Sequence, residues 1–151
     1  MRKLLAGFVC VAVLAAPSIS TAQDQPGWSY AYTDGVATAT QRDDRGRVTA
    51  TLTCRPPDGD IIITDHTLVR AARRAQTAAV QLGALTVNVP VSVEGRGRNA
   101  AVVINLPQRP PIMAGAQAGD RLTVTVNNVT HTYLEGSATR MREVAYGCWG
   151  S

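Results

Sequence analysis

The sequence predicts a mainly β domain, an antiparallel β-sandwich or partly open barrel of about eight short strands that ends in a short helix. Three observations lead to this prediction. Short segments alternate between apolar and polar residues along much of the chain. Tight-turn pairs, Asp34-Gly35 and Asn127-Asn128, separate some of these segments. The last stretch of the chain combines helical apolar spacing with a candidate cap.

The N-terminal residues 1–22 have the features of a cleaved export signal. Arg2 and Lys3 precede an apolar run over residues 4–16, and a small-x-small pattern ends the segment. The run is shorter than the about 20 apolar residues that a membrane-spanning helix needs. Cys10 lies inside the run, where it is not placed for attachment of a lipid anchor. We therefore expect residues 1–22 to be removed.

The expected mature chain, residues 23–151, is long enough for a single β-rich domain and carries little net charge. Once Arg2 and Lys3 are removed from the 15 basic residues, 13 arginines remain against 11 acidic residues. Such a balance gives no general attraction to nucleic acid or to an anionic membrane. Because the arginine-rich composition is typical of a GC-rich genome, we expect a periplasmic or secreted protein of a Gram-negative bacterium, with no membrane span and no nucleic-acid partner.

Cys54 and Cys148 are the two cysteines that remain after export, and they are expected to form a disulfide bond. In the loop-entropy description such a bond stabilises the folded state by roughly 4–5 kcal/mol. The alternative is redox exchange or a catalytic thiol. Redox centres usually carry a C-x-x-C pair, which this sequence lacks. The structural interpretation is therefore favoured.

The candidate strands are defined by alternation and by the turn residues between them. They lie at 28–33, 36–40, 48–54, 61–64, 77–82, 85–93, 100–106, 121–126 and 129–134. Residues 65–82 are ambiguous between helix and strand, and we favour a short helical or irregular piece over 66–75, with Asp65 as its cap, before a strand from Thr77. Pro90 indicates an edge strand or a bulge.

The last segment predicts a helix that Ser137 caps and that Gly147 helps to end. Ala138, Met141, Val144 and Cys148 recur at helical spacing and would share its buried face.

Two groups of residues are candidates for a ligand surface. Trp28, Tyr30 and Tyr32 alternate along one strand, so their rings project from one face and could contact a sugar or peptide. The alternative, favoured by the scarcity of other aromatic residues, is packing against the core. Arg96 and Arg98 lie in a predicted turn and suit an anionic glycan, a lipid head group or an acidic partner surface; otherwise they are solvated.

Arg70, Arg73 and Arg74 form a further cluster for which a solvated polar face is the favoured interpretation. The proline-rich loop at 107–111 joins Arg96 as a second candidate binding region. No aromatic residues are interleaved with these arginines, so they do not match a nucleic-acid site.

The sequence contains no residue pattern that predicts a metal site or a catalytic site. His66 and His131 are the only histidines, and neither has the ligand spacing of a zinc site. Asp65, His131 and Ser137 could in principle meet as a triad, but no G-x-S-x-G turn or carboxylate pair accompanies them. We expect no cofactor and no metal.

The leading hypothesis from the sequence is an exported, non-catalytic β-rich binding or interaction domain, with an envelope protein or a glycan as candidate partner. A second hypothesis is an inhibitor or accessory subunit of an envelope hydrolase, which would insert the segment 107–112. A third is a small hydrolase that uses His131 and Ser137. The identity of the ligand and the oligomeric state stay open at this stage.

Overall fold

The computed structural model describes residues 26–56 and 59–150, and the predicted export signal at 1–22 lies outside these residues. The described chain is mainly β and forms one antiparallel sheet of nine strands, curled into a half-barrel, with one short C-terminal helix. This confirms the predicted fold class. The strands are β1 (Gly27–Thr33), β2 (Val36–Arg42), β3 (Val48–Cys54), β4 (Ile61–Asp65), β5 (Thr77–Leu82), β6 (Leu85–Glu94), β7 (Ala101–Leu106), β8 (Leu122–Val126) and β9 (Val129–Thr132).

Two of the connections are the tight hairpins expected from the turn residues. Asp34 and Gly35 join β1 to β2 with φ values of 52° and 72°. Asn127 and Asn128 join β8 to β9 with φ values of 46° and 65°. Two successive positive φ angles are the requirement of a type I′ turn, which aspartate, asparagine and glycine tolerate best.

Pro90 does not mark an edge strand, because β6 lies between β5 and β7 in the sheet order β1-β2-β3-β4-β7-β6-β5-β8-β9. The N-terminal part of β6 pairs with β5 up to Pro90, and its C-terminal part pairs with β7 from Val91 onwards. The proline therefore lies where the strand changes partners. A residue without an N–H group is tolerated there.

The ambiguous segment 65–82 divides as we favoured, into a single helical turn and a strand. The helix α1 spans Val69–Ala72, and β5 follows from Thr77. Asp65 does not occupy the helix N-cap position, which belongs to Leu68. Its carboxylate instead accepts hydrogen bonds from the backbone N–H groups of Thr67 and Leu68, at 2.6 and 3.0 Å, and so fixes the turn that leads into α1.

The concave face of the sheet carries the core, because alternate residues of the strands are buried there. Helix α2 (Ser137–Trp149) packs on β1, β2 and β3. Small side chains, Ala37 and Ala39 on β2 and Ala50 on β3, are fully buried in this region and allow close approach of the helix. Its own buried side chains include the predicted set, namely Ala138, Met141, Val144 and Cys148.

Two sequence expectations about the ends of α2 are wrong. The N-cap is Gly136, with φ of 86°, and Ser137 is the first helical residue; its buried Oγ accepts a hydrogen bond from the Leu122 N–H at 2.9 Å. Gly147 does not end the helix, which continues to Trp149 and is capped by Gly150. A Cβ at position 147 would lie 2.7 Å from the Tyr30 hydroxyl oxygen, so close packing with β1 explains this glycine.

The edge strands β1 and β9 share no ladder within the described residues, and side chains of β1 and β2 instead contact the segment that follows β9. The Trp28 indole Nε1 donates to the Leu134 carbonyl at 3.4 Å, and the Trp28 ring lies 6.2 Å from that of Tyr133. The Gln41 side-chain oxygen accepts from the Leu134 N–H at 2.8 Å. Neither of the helices in the part of the chain described here is long and apolar enough to cross a membrane.

Candidate functional site

The predicted disulfide bond joins β3 to the C-terminal end of α2. Cys54 Sγ and Cys148 Sγ lie 1.98 Å apart, and the two residues are 94 positions apart in the chain. Both side chains are buried, with exposures of 1% and 3%. The bond is therefore a structural link inside the core, and a disulfide of this kind fits an oxidising compartment.

The disulfide fixes the neighbouring Trp149 against the loop that follows β3. The Trp149 indole Nε1 donates to the Gly59 carbonyl at 2.8 Å. Gly59 is itself constrained, because a Cβ at this position would collide with the Arg55 carbonyl oxygen. Trp149 is half-buried, and it is consequently held both through the backbone next to Cys148 and through its indole ring.

A cleft of about 510 Å³ lies beside this tryptophan, between α2 and the segment that follows β7. One wall is formed by 109–114, which contains a single 3-10 turn at Pro111–Met113. The other wall is formed by the last turns of α2, from Arg142 onwards. Cavities of roughly 300–1,000 Å³ are typical of sites for small molecules. The cleft is lined by Arg109, Pro110, Pro111, Met113, Ala114, Arg142, Ala145, Tyr146, Trp149 and Gly150.

The cleft combines aromatic and positively charged side chains. Tyr146 is 62% exposed, and with Trp149 it forms an aromatic edge on α2. Arg109 and Arg142 face the same space, and none of the described residues that line it is acidic. Pro110 is buried, and Met113 packs against the core, so this wall is anchored to the body of the protein.

Neither guanidinium of the cleft has a protein partner among residues 26–56 and 59–150. Other arginines of the protein do: Arg140 on α2 pairs with Glu143 at 2.6 Å, and Arg47 before β3 pairs with Asp43 at 2.7 Å. Arg109 also has a φ of 51°, an unusual conformation for a residue other than glycine. The cleft therefore presents ten donor N–H groups, five on each guanidinium, with no acceptor supplied by the described protein.

The aromatic strand predicted as a ligand surface packs against α2 and the loop before it. Trp28 contacts Tyr133, while Tyr30 and Tyr32 lie against Gly147 of the helix. Tyr30 remains 36% exposed and Tyr32 55% exposed. Packing accounts for the alternation of these rings, and their role in binding stays a prediction.

Arg96 and Arg98 lie in the exposed turn between β6 and β7, where a 3-10 turn spans Gly97–Asn99. Neither residue lines the cleft. The cluster of Arg70, Arg73 and Arg74 is exposed at and after α1. The structure thus brings only the 107–111 loop of the predicted regions to a cavity.

A second group of functional side chains surrounds Asp65 at the end of β4. This carboxylate is fully buried. Oδ2 accepts from His131 Nδ1 at 2.5 Å and from the Tyr133 hydroxyl at 2.7 Å. Oδ1 accepts from the Thr67 hydroxyl at 2.7 Å, in addition to the two backbone N–H groups of the turn. The carboxylate is thereby surrounded by donors, which is the condition for burying a charge.

Burial and hydrogen bonding act in opposite directions on this cluster. Burial raises the pKa of Asp65, but hydrogen bonds from His131, Thr67 and Tyr133 outweigh it and hold the pKa below the usual value of 3.8. The pKa of Tyr133 is well above 10.0, because burial and the adjacent Asp65 charge both disfavour the phenolate. Asp65 is therefore a charged acceptor and Tyr133 a neutral donor at neutral pH.

His131 and Asp65 thus form two thirds of the hypothetical triad, but Ser137 does not complete it. The Ser137 hydroxyl is buried against β8, where it accepts from the Leu122 N–H, and it makes no hydrogen bond to His131. His131 Nε2 has no hydrogen-bond partner among the described residues. Because every buried side-chain nitrogen and oxygen of those residues has a partner, Nε2 is not buried and faces solvent. The Thr67 hydroxyl lies 3.0 Å from His131 Nδ1, but it donates to Asp65 Oδ1, so its proton is directed to the carboxylate and not to the imidazole.

No group of three or more metal-ligating side chains occurs among residues 26–56 and 59–150. His66, the other histidine, contacts the Ala100 carbonyl through Nδ1 at 3.2 Å.

Sequence reasoning missed Arg142, Tyr146 and Trp149 as members of one site. A usable signal was present, because positions 142, 146 and 149 recur at helical spacing on a face of α2 that adjoins the predicted buried face. Tyr133 was missed as well, although it alternates with His131 and therefore shares its face. The comparisons with known proteins add no assignment: no family model, no curated protein and no solved structure matches this chain.

Proposed function

We propose that the protein is an exported, non-catalytic binding domain whose ligand enters the cleft between 109–114 and α2. The observation that carries the proposal is the pair of guanidiniums, Arg109 and Arg142, which have no partner among residues 26–56 and 59–150 and lie beside the aromatic edge of Tyr146 and Trp149. The disulfide bond supports export, because such bonds persist in oxidising compartments such as the bacterial periplasm.

The rigid surroundings of the cleft favour binding over a structural role alone. A site whose walls are already ordered loses little conformational entropy when a ligand enters. The disulfide bond at Cys148 and the hydrogen bond of Trp149 hold one wall, and the buried Pro110 holds the other. The aromatic strand is a less suitable site, because its rings already pack on α2.

The same anchoring weighs against the inhibitor hypothesis. Insertion into a partner enzyme requires a loop that protrudes, whereas Pro110 and Ile112 of the segment 107–112 are buried. The hydrolase hypothesis is weakened because the Ser137 hydroxyl accepts from the Leu122 N–H, and the Thr67 hydroxyl beside His131 donates to Asp65.

The proposal is tested by ligand-induced stabilisation, which detects a ligand of any class. Envelope extract is separated into a macromolecular and a small-molecule fraction, and the melting temperature of the purified protein is measured with each. We expect one fraction to raise it. Ala114→Trp, which fills the cleft from an exposed position, should abolish the rise, and the exposed Ala31→Trp on β1 should retain it. No rise with either fraction, or an equal rise for Ala114→Trp, would contradict the proposal.

A further inference from the structure

The composition of the cleft defines the chemistry of its ligand, and the inference that follows rests on the proposed function. Two guanidiniums with no acidic side chain among the described residues of the lining favour a group that carries negative charge and several acceptor oxygens. A carboxylate or a phosphate ester has both properties. A cationic group would be repelled by Arg109 and Arg142, and a neutral acceptor would form weaker hydrogen bonds with them than an anion does.

The remainder of the lining is apolar or aromatic, so the ligand also needs an apolar body. Proline, methionine and alanine side chains form one wall, and the rings of Tyr146 and Trp149 form part of the other. Burying an apolar chain against these walls is favourable, because it removes CH₂ groups from water. A free inorganic anion would leave these walls exposed to water.

The volume of the cleft limits the size of the ligand. About 510 Å³ lies within the range typical of a site for one small molecule. The fixed position of Trp149 supports a small, complementary ligand for the same reason, because the wall is already shaped.

We infer that the cleft binds a small anionic amphiphile, with its carboxylate or phosphate held by Arg109 and Arg142 and its apolar body packed on Tyr146, Trp149 and the 110–113 wall. A protein segment with acidic residues is the competing occupant. Binding of such a segment in place of the amphiphile is one of the outcomes that the experiment distinguishes.

The experiment measures dissociation constants by titration calorimetry, with each probe below its critical micelle concentration. The probes are decanoate, decyl phosphate, inorganic phosphate, decyl maltoside and decyltrimethylammonium. We expect decanoate or decyl phosphate to bind at least about tenfold more tightly than the neutral and cationic probes, since a charge-assisted hydrogen bond contributes about 1.5–3 kcal/mol. Inorganic phosphate should not bind measurably, because it lacks the apolar body. The order of decanoate and decyl phosphate identifies the head group.

The variants assign the effect to the two arginines. Arg109→Gln and Arg142→Gln should each weaken binding of the anionic probe by about tenfold or more and leave the neutral probe unchanged. Arg140→Gln is the matched control, because Arg140 lies on the same helix but pairs with Glu143 and does not line the cleft. It should bind the anionic probe as the wild type does.

The remaining outcomes overturn the inference in distinguishable ways. Equal binding of all the decyl probes, unaffected by the arginine substitutions, would exclude an anion-selective site while leaving the cleft as a binding site. Stabilisation only by the macromolecular envelope fraction, lost in Ala114→Trp, would replace the amphiphile by a protein partner. Absence of binding by every probe, together with no stabilisation by either envelope fraction, would overturn both proposals.

Discussion

The two ends of α2 are attached to the sheet by different physical means. At the C-terminal end, Cys148 is covalently bonded to Cys54, and Trp149 is held next to it. At the N-terminal end the attachment is polar: Tyr133, in the connection that leads from β9 to the helix, donates to the buried carboxylate of Asp65. The first attachment adjoins the cleft, and the second lies around the solvent-facing imidazole of His131.

This difference shows how each attachment responds to its surroundings. A disulfide bond is indifferent to pH near neutrality and is lost under reducing conditions. A buried carboxylate that depends on hydrogen bonds is indifferent to reductant and is lost when it becomes protonated. The domain therefore has one attachment sensitive to redox state and one sensitive to acid, and each can be broken without the other.

Removal of the disulfide bond should have the largest effect. The double variant Cys54→Ser, Cys148→Ser is expected to lose about 2–5 kcal/mol of unfolding free energy, since the unfolded chain is no longer constrained across 94 positions. Urea denaturation of oxidised wild type, reduced wild type and the variant measures this loss. Reduced wild type should resemble the variant, and equal stability of the oxidised and reduced wild type would contradict the prediction.

Neutralisation of Asp65 should have the next largest effect. Asp65→Asn preserves the shape of the side chain but removes the charge that His131 and Tyr133 contact, and it should cost about 2 kcal/mol of unfolding free energy. Asp44→Asn is the matched control, because Asp44 is exposed and its side chain makes no hydrogen bond or ion pair with the other described residues. The same urea assay at neutral pH compares the two, and equal stabilities would show that the buried cluster contributes nothing.

Tyr133→Phe should have a smaller effect, of about 1 kcal/mol. The substitution removes one donor to Asp65 and keeps the ring that packs on Trp28. Combined with Asp65→Asn it should add less than its own cost, because both changes remove the same hydrogen bond. A double-variant cycle measured by urea denaturation gives this coupling, and strict additivity of the two losses would be inconsistent with a shared bond.

The smallest expected effect is a difference in acid sensitivity. The pKa of Asp65 is lower in the folded than in the unfolded protein, so its contribution is fully present above pH 3.8 and is lost as the pH falls through the folded-state pKa. Stability of the wild type should therefore decline more steeply below pH 3.8 than that of Asp65→Asn, as followed by thermal unfolding at a series of pH values. Parallel curves would show that another carboxyl group governs the acid transition.

Local chemistry in the sequence predicts the fold to a large extent. Asp34-Gly35 and Asn127-Asn128 determine two turns through their backbone preferences alone, and alternation identifies the strands between such turns. Cys54 and Cys148 could be paired because no third cysteine remains after the expected cleavage. The turns and the strands depend on neighbours in the chain, and the disulfide pairing depends only on the number of cysteines.

The remaining features depend on contacts between distant segments, which periodicity does not encode. Ser137 has the chemistry of a helix cap, yet its hydroxyl serves the Leu122 N–H of another strand. Gly147 resembles a helix terminator, yet the approach of Tyr30 explains it. The meeting of Asp65 with His131, 66 positions away, follows only from the curl of the sheet. The cleft likewise exists only once 109–114 packs beside α2.

The distances in sequence between the groups that close this fold have a kinetic consequence. Trp28 and Leu134 are 106 positions apart, Gly59 and Trp149 are 90 apart, and Asp65 and Tyr133 are 68 apart. Such a high contact order predicts slow folding, on the order of milliseconds to seconds, because loop-closure entropy is lost before these contacts form. Until α2 docks, the alanine-lined face of the sheet is open to association with other nascent chains.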